Sequence, residues 1–275
     1  MAKVTFETLN PNAPLFSELK SEKYAWWENI KQNHDLYIEI RKDNNINVYF
    51  QGGSVVKLHY CSKHKKIQAF THRKYLYGNG TGYVECSLNK DLETIISNIP
   101  RYYSNTENKK GKENWSEKYI QSQYIIKYHS NYIDSEFAYK DDSLDIRIDL
   151  IECINGELRF VELKTIDDSR MLKRNDDNPE VVEQVKAYNK FIHKYEEEII
   201  KYYDKIWTIK NDLGLIKNDL GLIIPKKRPS SLAKKPLLLI FNRWTEETFR
   251  REEHTDRMGK ILRKNDIDYK ITSEI

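Results

Sequence analysis

The chain has 275 residues, of which 39% are hydrophobic, 12% aromatic and 32% charged, and its net charge at pH 7 is +4. That length supplies a substantial core for one large domain or two small ones, and the apolar share excludes a disordered chain. No apolar leader or membrane-length run occurs and Cys61, Cys86 and Cys153 form no Cys-x-x-Cys pair, so a membrane span and a zinc site are not expected and a reducing, cytoplasmic compartment is.

Residues 1–22, with Pro11 and Pro14 and no periodicity, read as an irregular lead-in, and Ser21–Gln32 as a short helix carrying Trp26 and Trp27. Leu36–Arg41, Asn47–Gln51, Ser54–Tyr60 and Ile67–Thr71 alternate between turn clusters, which predicts an antiparallel meander. Lys57, His59, His64, Lys65, Lys66, His72, Arg73 and Lys74 fall in it among tyrosines. Such a face either binds a nucleic-acid strand or is simply solvated. Gly78, Gly80 and Gly82 mark a loop without a phosphate-binding pattern. Asn89–Tyr103 reads as a helix ending near Pro100, and the polar Ser104–Glu113 as a linker. The expected organisation is a β-rich first domain, 1–110, and a second domain, 111–275.

In the second part, Asn114–Ser130 reads as a helix with Trp115, Tyr119, Ile120, Ile126 and Tyr128 on its apolar positions and Glu117 in its first turns. Tyr132–Tyr139 follows as a strand. Asn155–Gly156 then sits between two alternating runs, Ile146–Ile154 and Glu157–Thr165, the strongest local signal for a hairpin. Side chains repeat every two residues along a strand, so Glu162 and Lys164 share a face with Phe160, while Val161, Leu163 and Thr165 point the other way. Asp149 lies opposite on the neighbouring strand. Two acids and a lysine so placed form either a solvated cross-strand ion pair or an oxygen site for a hard divalent cation: Asp149, Glu162 and the Leu163 carbonyl.

A polar loop, Thr165–Asn178, contains Asp167, Asp168 and Arg170. Asn178 as cap and Pro179 at the first helical position open a long helix. Its seam of Val181, Val185, Tyr188, Ile192, Tyr195, Ile199, Tyr202 and Ile206 suits a buried face or, alternatively, self-association through 181–206. Gln184 and Tyr188 are neighbours one turn apart. Ile209–Leu215 and Ile216–Leu222 are the same seven residues twice, read as a tolerated insertion. The basic loop Pro225–Pro236, with Lys226, Lys227, Arg228, Lys234 and Lys235, either contacts phosphates or is solvated. Leu237–Phe241 reads as a buried strand, Glu246–Lys264 as a helix and Ile267–Thr272 as an edge strand.

The order helix, three strands, long helix, strand, helix, strand, with Asp149 on the second strand and Glu162-Leu163-Lys164 on the third, resembles the PD-(D/E)XK nuclease superfamily. Gln184-x-x-x-Tyr188 resembles the branch that includes RecB-like nucleases and phage lambda exonuclease. The resemblance covers about Asn114 to Thr272. It departs from the pattern at Ile148, where proline is usual, and it leaves the helix acid open between Glu117, Glu113 and, should Tyr132–Tyr139 be helical, Glu136.

The resemblance implies an α/β (α+β) restriction-endonuclease-like core, a mixed central sheet flanked by helices. It further implies a Mg²⁺-dependent nuclease, with Mn²⁺ able to substitute, acting on DNA in restriction, phage defence or repair. Asp149, Glu162 and the Leu163 carbonyl would be direct ligands and Glu117 a ligand through water. Lys164 would orient water or hold phosphate, and Gln184 and Tyr188 would position the reactants. The alternative is a non-catalytic nucleic-acid-binding or interaction module that keeps the fold.

Overall fold

The structure, a computed structural model, describes residues 6, 9–21, 24–103, 115–142, 144–172, 178–215, 217–218, 221–222 and 225–274. The expected linker Ser104–Glu113, part of the 165–178 loop and part of the repeated heptad lie outside them.

The chain begins differently from the irregular lead-in expected. Pro14–Ser21 is a helix, α1, with Leu15, Phe16 and Leu19 buried. Proline at its first position is already set for helical φ and has no N–H to leave unpaired. Ala25–Gln32 (α2) buries Trp27 and Ile30. Strands β1 (Leu36–Arg41), β2 (Asn45–Phe50), β3 (Gly53–Cys61) and β4 (Lys66–His72) follow, then the short helix α3 (Arg73–Tyr77), β5 (Tyr83–Glu85), α4 (Leu88–Asn98) and α5 (Pro100–Tyr103). The first four strands form the expected antiparallel meander in chain order, and β5, which was not expected, adds a fifth strand beside β4.

The second sheet starts after α6 (Glu117–Lys127), whose Ser116 hydroxyl accepts the Tyr119 N–H and so fixes the helix start three residues later than Asn114. Strands β6 (Tyr132–Lys140), β7 (Asp145–Ile154) and β8 (Glu157–Thr165) are antiparallel neighbours. Asn155 and Gly156 turn the hairpin with φ of 55° and 89°. The long helix α7 runs from Glu180 to Asp212 with a break in helical geometry at Tyr195. Its cap is Pro179, one residue later than the expected Asn178.

Short strands β9 (Lys217–Asn218), β10 (Gly221–Leu222) and β11 (Ser231–Leu232) lead to β12 (Leu237–Phe241), α8 (Phe249–Lys264) and β13 (Asp268–Thr272). β12 lies parallel to β8 and β13 parallel to β12, giving the order β13-β12-β8-β7-β6 with β11 also on β8. This mixed sheet, flanked by helices and preceded by an antiparallel sheet, is the expected α/β class.

Two helices cover opposite faces of the mixed sheet. Phe160 and Leu158 pack with Tyr188, Phe191 and Ile192 of α7. Val161 and Leu163 pack with Ile120 and Tyr124 of α6. The first core also contains Ile38, Val48 and Leu58 of the antiparallel sheet, so one continuous apolar cluster joins the two sheets. Most of the seam on α7 lies in it, with Tyr188, Ile192, Ile199 and Ile206 buried there, while Val181 and Val185 are buried in a separate core with Leu238 and Met258.

A buried polar network crosses the same boundary. Lys210 on α7 donates to Glu39 on β1 at 2.8 Å and to the Ile133 carbonyl at 2.7 Å. Arg41 donates to Asp134 at 2.6 Å, and Tyr203 donates to the other Asp134 oxygen at 3.2 Å. Among the described residues no helix is long and apolar enough to cross a membrane.

Candidate active site

The site is built where β7 and β8 part. Their paired register runs from Ile154↔Glu157 to Leu150↔Val161. Beyond it, the Asp149 side chain takes over: its Oδ2 accepts the Leu163 N–H at 2.8 Å. Strict alternation does not hold there. Ile148 and Ile151 both pack in the α7-side core, whereas Leu150 packs on the α6 side. The irregularity leaves Asp149 at the fork rather than squarely on one face. On the other edge of β8, Val161–Thr165 pair with β12, so the strand holding the site residues is fixed while its β7 side opens.

Glu162 and Lys164 share the α7 face as expected, and each is only 2% exposed. The Lys164 ammonium pairs with Glu162 Oε1, donates to the Leu163 carbonyl at 3.0 Å and lies 4.0 Å from Asp149 Oδ2. Gln184 and Tyr188 come to the same carboxylate. Gln184 Nε2 donates to Glu162 Oε1 and to the Tyr188 hydroxyl, both at 2.6 Å. The Tyr188 hydroxyl is 2.8 Å from Glu162 Oε2 and also contacts the Arg147 carbonyl. Its single proton serves two acceptors. Both Glu162 oxygens are thereby held from the helix side.

Of the three candidates for the helix acid, Glu117 lies in the first turn of α6, Glu136 lies in β6, and Glu113 falls outside the described residues. Glu117 meets Arg170 at 3.4 Å, and Arg170 is clamped by Asp168 at 2.5 Å. Burial raises the Glu117 carboxyl and the Lys164 ammonium opposes that shift, which places the two within electrostatic reach. For Asp168, burial alone would raise the carboxyl, but bonds from the Arg170 side chain and backbone outweigh it and hold it at about 2.

Asp149 is pushed up to about 7, first by burial and then by the negative charge of Glu162, against the pull of Lys164 and the Leu163 N–H. Its side chain still keeps 38% of its surface exposed, so the carboxylate is reachable from solvent. Two acids compete for one ammonium, and the site has room for more positive charge.

Among the described residues no three His, Cys, Asp or Glu side chains gather into a ligand cluster. The donors that do converge are Asp149 Oδ2, Glu162 Oε1 and the Leu163 carbonyl, around the Lys164 ammonium. Two carboxylates and a carbonyl are a donor set that suits Mg²⁺, which keeps several waters of its own. The residues present therefore fit a divalent ion.

The basic loop is placed elsewhere. β11 pairs with β8 at Glu157 and Leu158, and Leu158 is about 13 Å from Glu162 along the strand. Ion pairs engage three of its five cations: Arg228 with Asp204, and Lys234 with Glu196 and Lys235 with Asp266, both at 2.5 Å. Lys226 and Lys227 are exposed.

Two neighbours of the site, Gln121 and Arg243, were not singled out from the sequence. Gln121 donates to the Asp149 carbonyl at 2.6 Å; its one signal was its position a helical turn after Glu117. Arg243 pairs with Asp167 at 2.7 Å and braces the loop after β8. Glu136 stands opposite Asp149, since Ser135↔Leu150 and Phe137↔Ile148 flank it, and has a φ of 53°. Comparison with protein-family models, with curated proteins and with solved structures returned no match for this chain.

Proposed function

We propose that the chain is a Mg²⁺-dependent phosphodiesterase acting on DNA, with Mn²⁺ able to substitute. The observation that carries this reading is the convergence of Asp149, Glu162 and the Leu163 carbonyl around the buried Lys164 ammonium. When bound, a divalent ion lowers the pKa of a coordinated water and offsets charge on the phosphate. Asp149, Glu162 and Leu163 would hold it directly and Glu117 through water.

The chain's own residues supply the rest. Lys164 carries a compact charge with rotatable donors, suited to orienting the attacking water or to gripping a phosphate oxygen. Gln184 and Tyr188 hold the two Glu162 oxygens in place. Arg170, anchored by Asp168, presents a second cation at the mouth. The resemblance in motif order extends the reading to restriction, phage defence or repair, by analogy alone.

The test is incubation with Mg²⁺ and either plasmid or linear DNA. Cleavage at full rate by both Asp149→Ala and Lys164→Ala would sink the assignment. A second reading, a nucleic-acid-binding module without catalysis, is favoured by the engagement of Lys164 with Glu162 and the lack of a gathered acid cluster among the described residues. Calorimetry separates the two, because the module should show no Mg²⁺ or Mn²⁺ binding that Glu162→Ala abolishes.

A further inference from the structure

The charge of this chain is segregated. Asn44 to Val84 contains Lys57, Lys63, Lys65, Lys66, Arg73 and Lys74, three histidines and no acid. Those six cations exceed the net +4 of the whole chain. The segment forms β2 to β4 and reaches into β5, and it has two unlike faces. Val56, Leu58, Ala69 and Thr71 point into the core and are buried.

The other face is formed by Lys57 and His59 on β3, Gln68, Phe70 and His72 on β4, and Tyr83 and Glu85 on β5. The register pairs Lys57 with Phe70, His59 with Gln68, and His72 with Tyr83. His59 and Phe70 stack at 5.2 Å with 20° between their planes, and His72 meets Tyr83 at 5.7 Å. Lys57 is exposed and Tyr83 keeps 60% of its surface. A ring left this open on a sheet face contributes little to the fold.

The rim continues the pattern. On α3 the Arg73 guanidinium lies over Tyr77 at 5.3 Å, and Tyr77 is 58% exposed. The acid on this face, Glu85, faces Lys66 at 3.9 Å and Gln68 at 3.2 Å. At its β3 end the face runs into a cleft of about 410 Å³ walled by Asp43, Asn44, Asn45, Lys57, His59 and Ser62.

We propose that this solvent face of β3–β5 docks a single-stranded nucleic acid, its bases on Phe70 and Tyr83 and its phosphates on Lys57 and Arg73. Stacking on open aromatic rings is sequence-tolerant, and interleaved cations track the backbone. A duplex hides the faces of its bases and gains only the cations. The inference rests on the phosphodiesterase reading for the class of partner, and it adds a binding site on a different sheet from the candidate active site.

The experiment is fluorescence anisotropy of labelled single-stranded DNA, single-stranded RNA and duplex DNA with the full chain in EDTA, where no metal-dependent cleavage occurs. Single strands should bind more tightly than the duplex, and the DNA and RNA arms identify which strand is preferred. Tyr83→Ala and Phe70→Ala should each weaken single-strand binding by at least about fivefold. Lys57→Ala and Arg73→Ala should each lower the slope of log affinity against log salt by about 0.7.

Tyr83 is the decisive position, because its exposure makes the variant safe for folding. Unchanged binding by Tyr83→Ala, or duplex bound as tightly as single strand, overturns the proposal. Because the readout excludes metal, loss of this site and failure of Asp149-dependent cleavage are separate results.

Discussion

The Asp149 carboxylate takes the Leu163 N–H at 2.8 Å, a side chain standing where a neighbouring strand would otherwise supply a carbonyl. Charge and acceptor are therefore separable at this position. Asp149→Asn keeps an acceptor oxygen and should fold with nearly unchanged stability while losing metal-dependent cleavage. Asp149→Ala should in addition lose about 1–3 kcal/mol, since it strands a buried N–H. Urea unfolding read beside a DNA cleavage assay checks both; equal stability of the two variants would contradict the role of the bond.

Lys164→Ala should reduce cleavage by roughly 10²–10⁴-fold, the range for loss of a positioned proton-transfer group. Single-turnover rates at saturating DNA measure it. A rate within a few-fold of the parent chain would remove Lys164 from the chemistry.

Tyr188→Phe leaves the ring in the core and removes only the hydroxyl beside Glu162 Oε2 and the Arg147 carbonyl. Loss of a group that orients a ligand typically costs about 10–100-fold in metal affinity or activity. Titration calorimetry with Mn²⁺ should show that drop, with thermal unfolding shifted only slightly. If affinity is unchanged and only stability falls, Tyr188 serves the core alone.

Lys210 and Glu39 form an ion pair with both side chains 3% exposed. Breaking such a pair from one side leaves a bare buried charge, so Lys210→Met should cost about 3–5 kcal/mol. The double variant Glu39→Leu/Lys210→Met should recover most of that loss. Denaturant midpoints for the two singles and the double complete the cycle, and additive losses would argue against coupling.

The same glutamate sets a pH dependence. Burial lifts the Glu39 carboxyl from 4.5 to about 7, with Lys210 opposing and Asp134 adding to the rise. The folded chain thus binds this proton more tightly than the unfolded chain. The associated stability is fully present below about pH 4.5 and is lost as pH rises through about 7. The difference in unfolding free energy between the parent chain and Glu39→Gln should therefore fall across that window. A flat difference would place the titration elsewhere.

Much of this architecture was legible because it is local. The Asn155–Gly156 turn, the alternation of β8 and the seam of α7 each follow from residues within one or two turns of each other. Glu162 and Lys164 share a face and Gln184 neighbours Tyr188 as their spacing implies, whereas the meeting of the two pairs was implied by the motif resemblance. The helix at Pro14–Ser21 was not, since eight residues with two prolines nearby carry almost no periodic signal. Nor was the break in alternation at Asp149–Leu150, which lies opposite the positive-φ Glu136 of β6. Pairs such as Arg41 with Asp134 and Glu39 with Lys210 join residues 93 and 171 positions apart, and no local pattern announces them.

The interruption of α7 at Tyr195 divides that helix into two working lengths. The first carries Gln184 and Tyr188 against Glu162; the second carries Tyr203 and Lys210 to partners beside β1. A fragment beginning at residue 111 would keep every candidate catalytic group yet deprive Lys210 of its counter-ion. Transplanting the catalytic half into another protein should therefore fail unless Lys210 is neutralised in the same step.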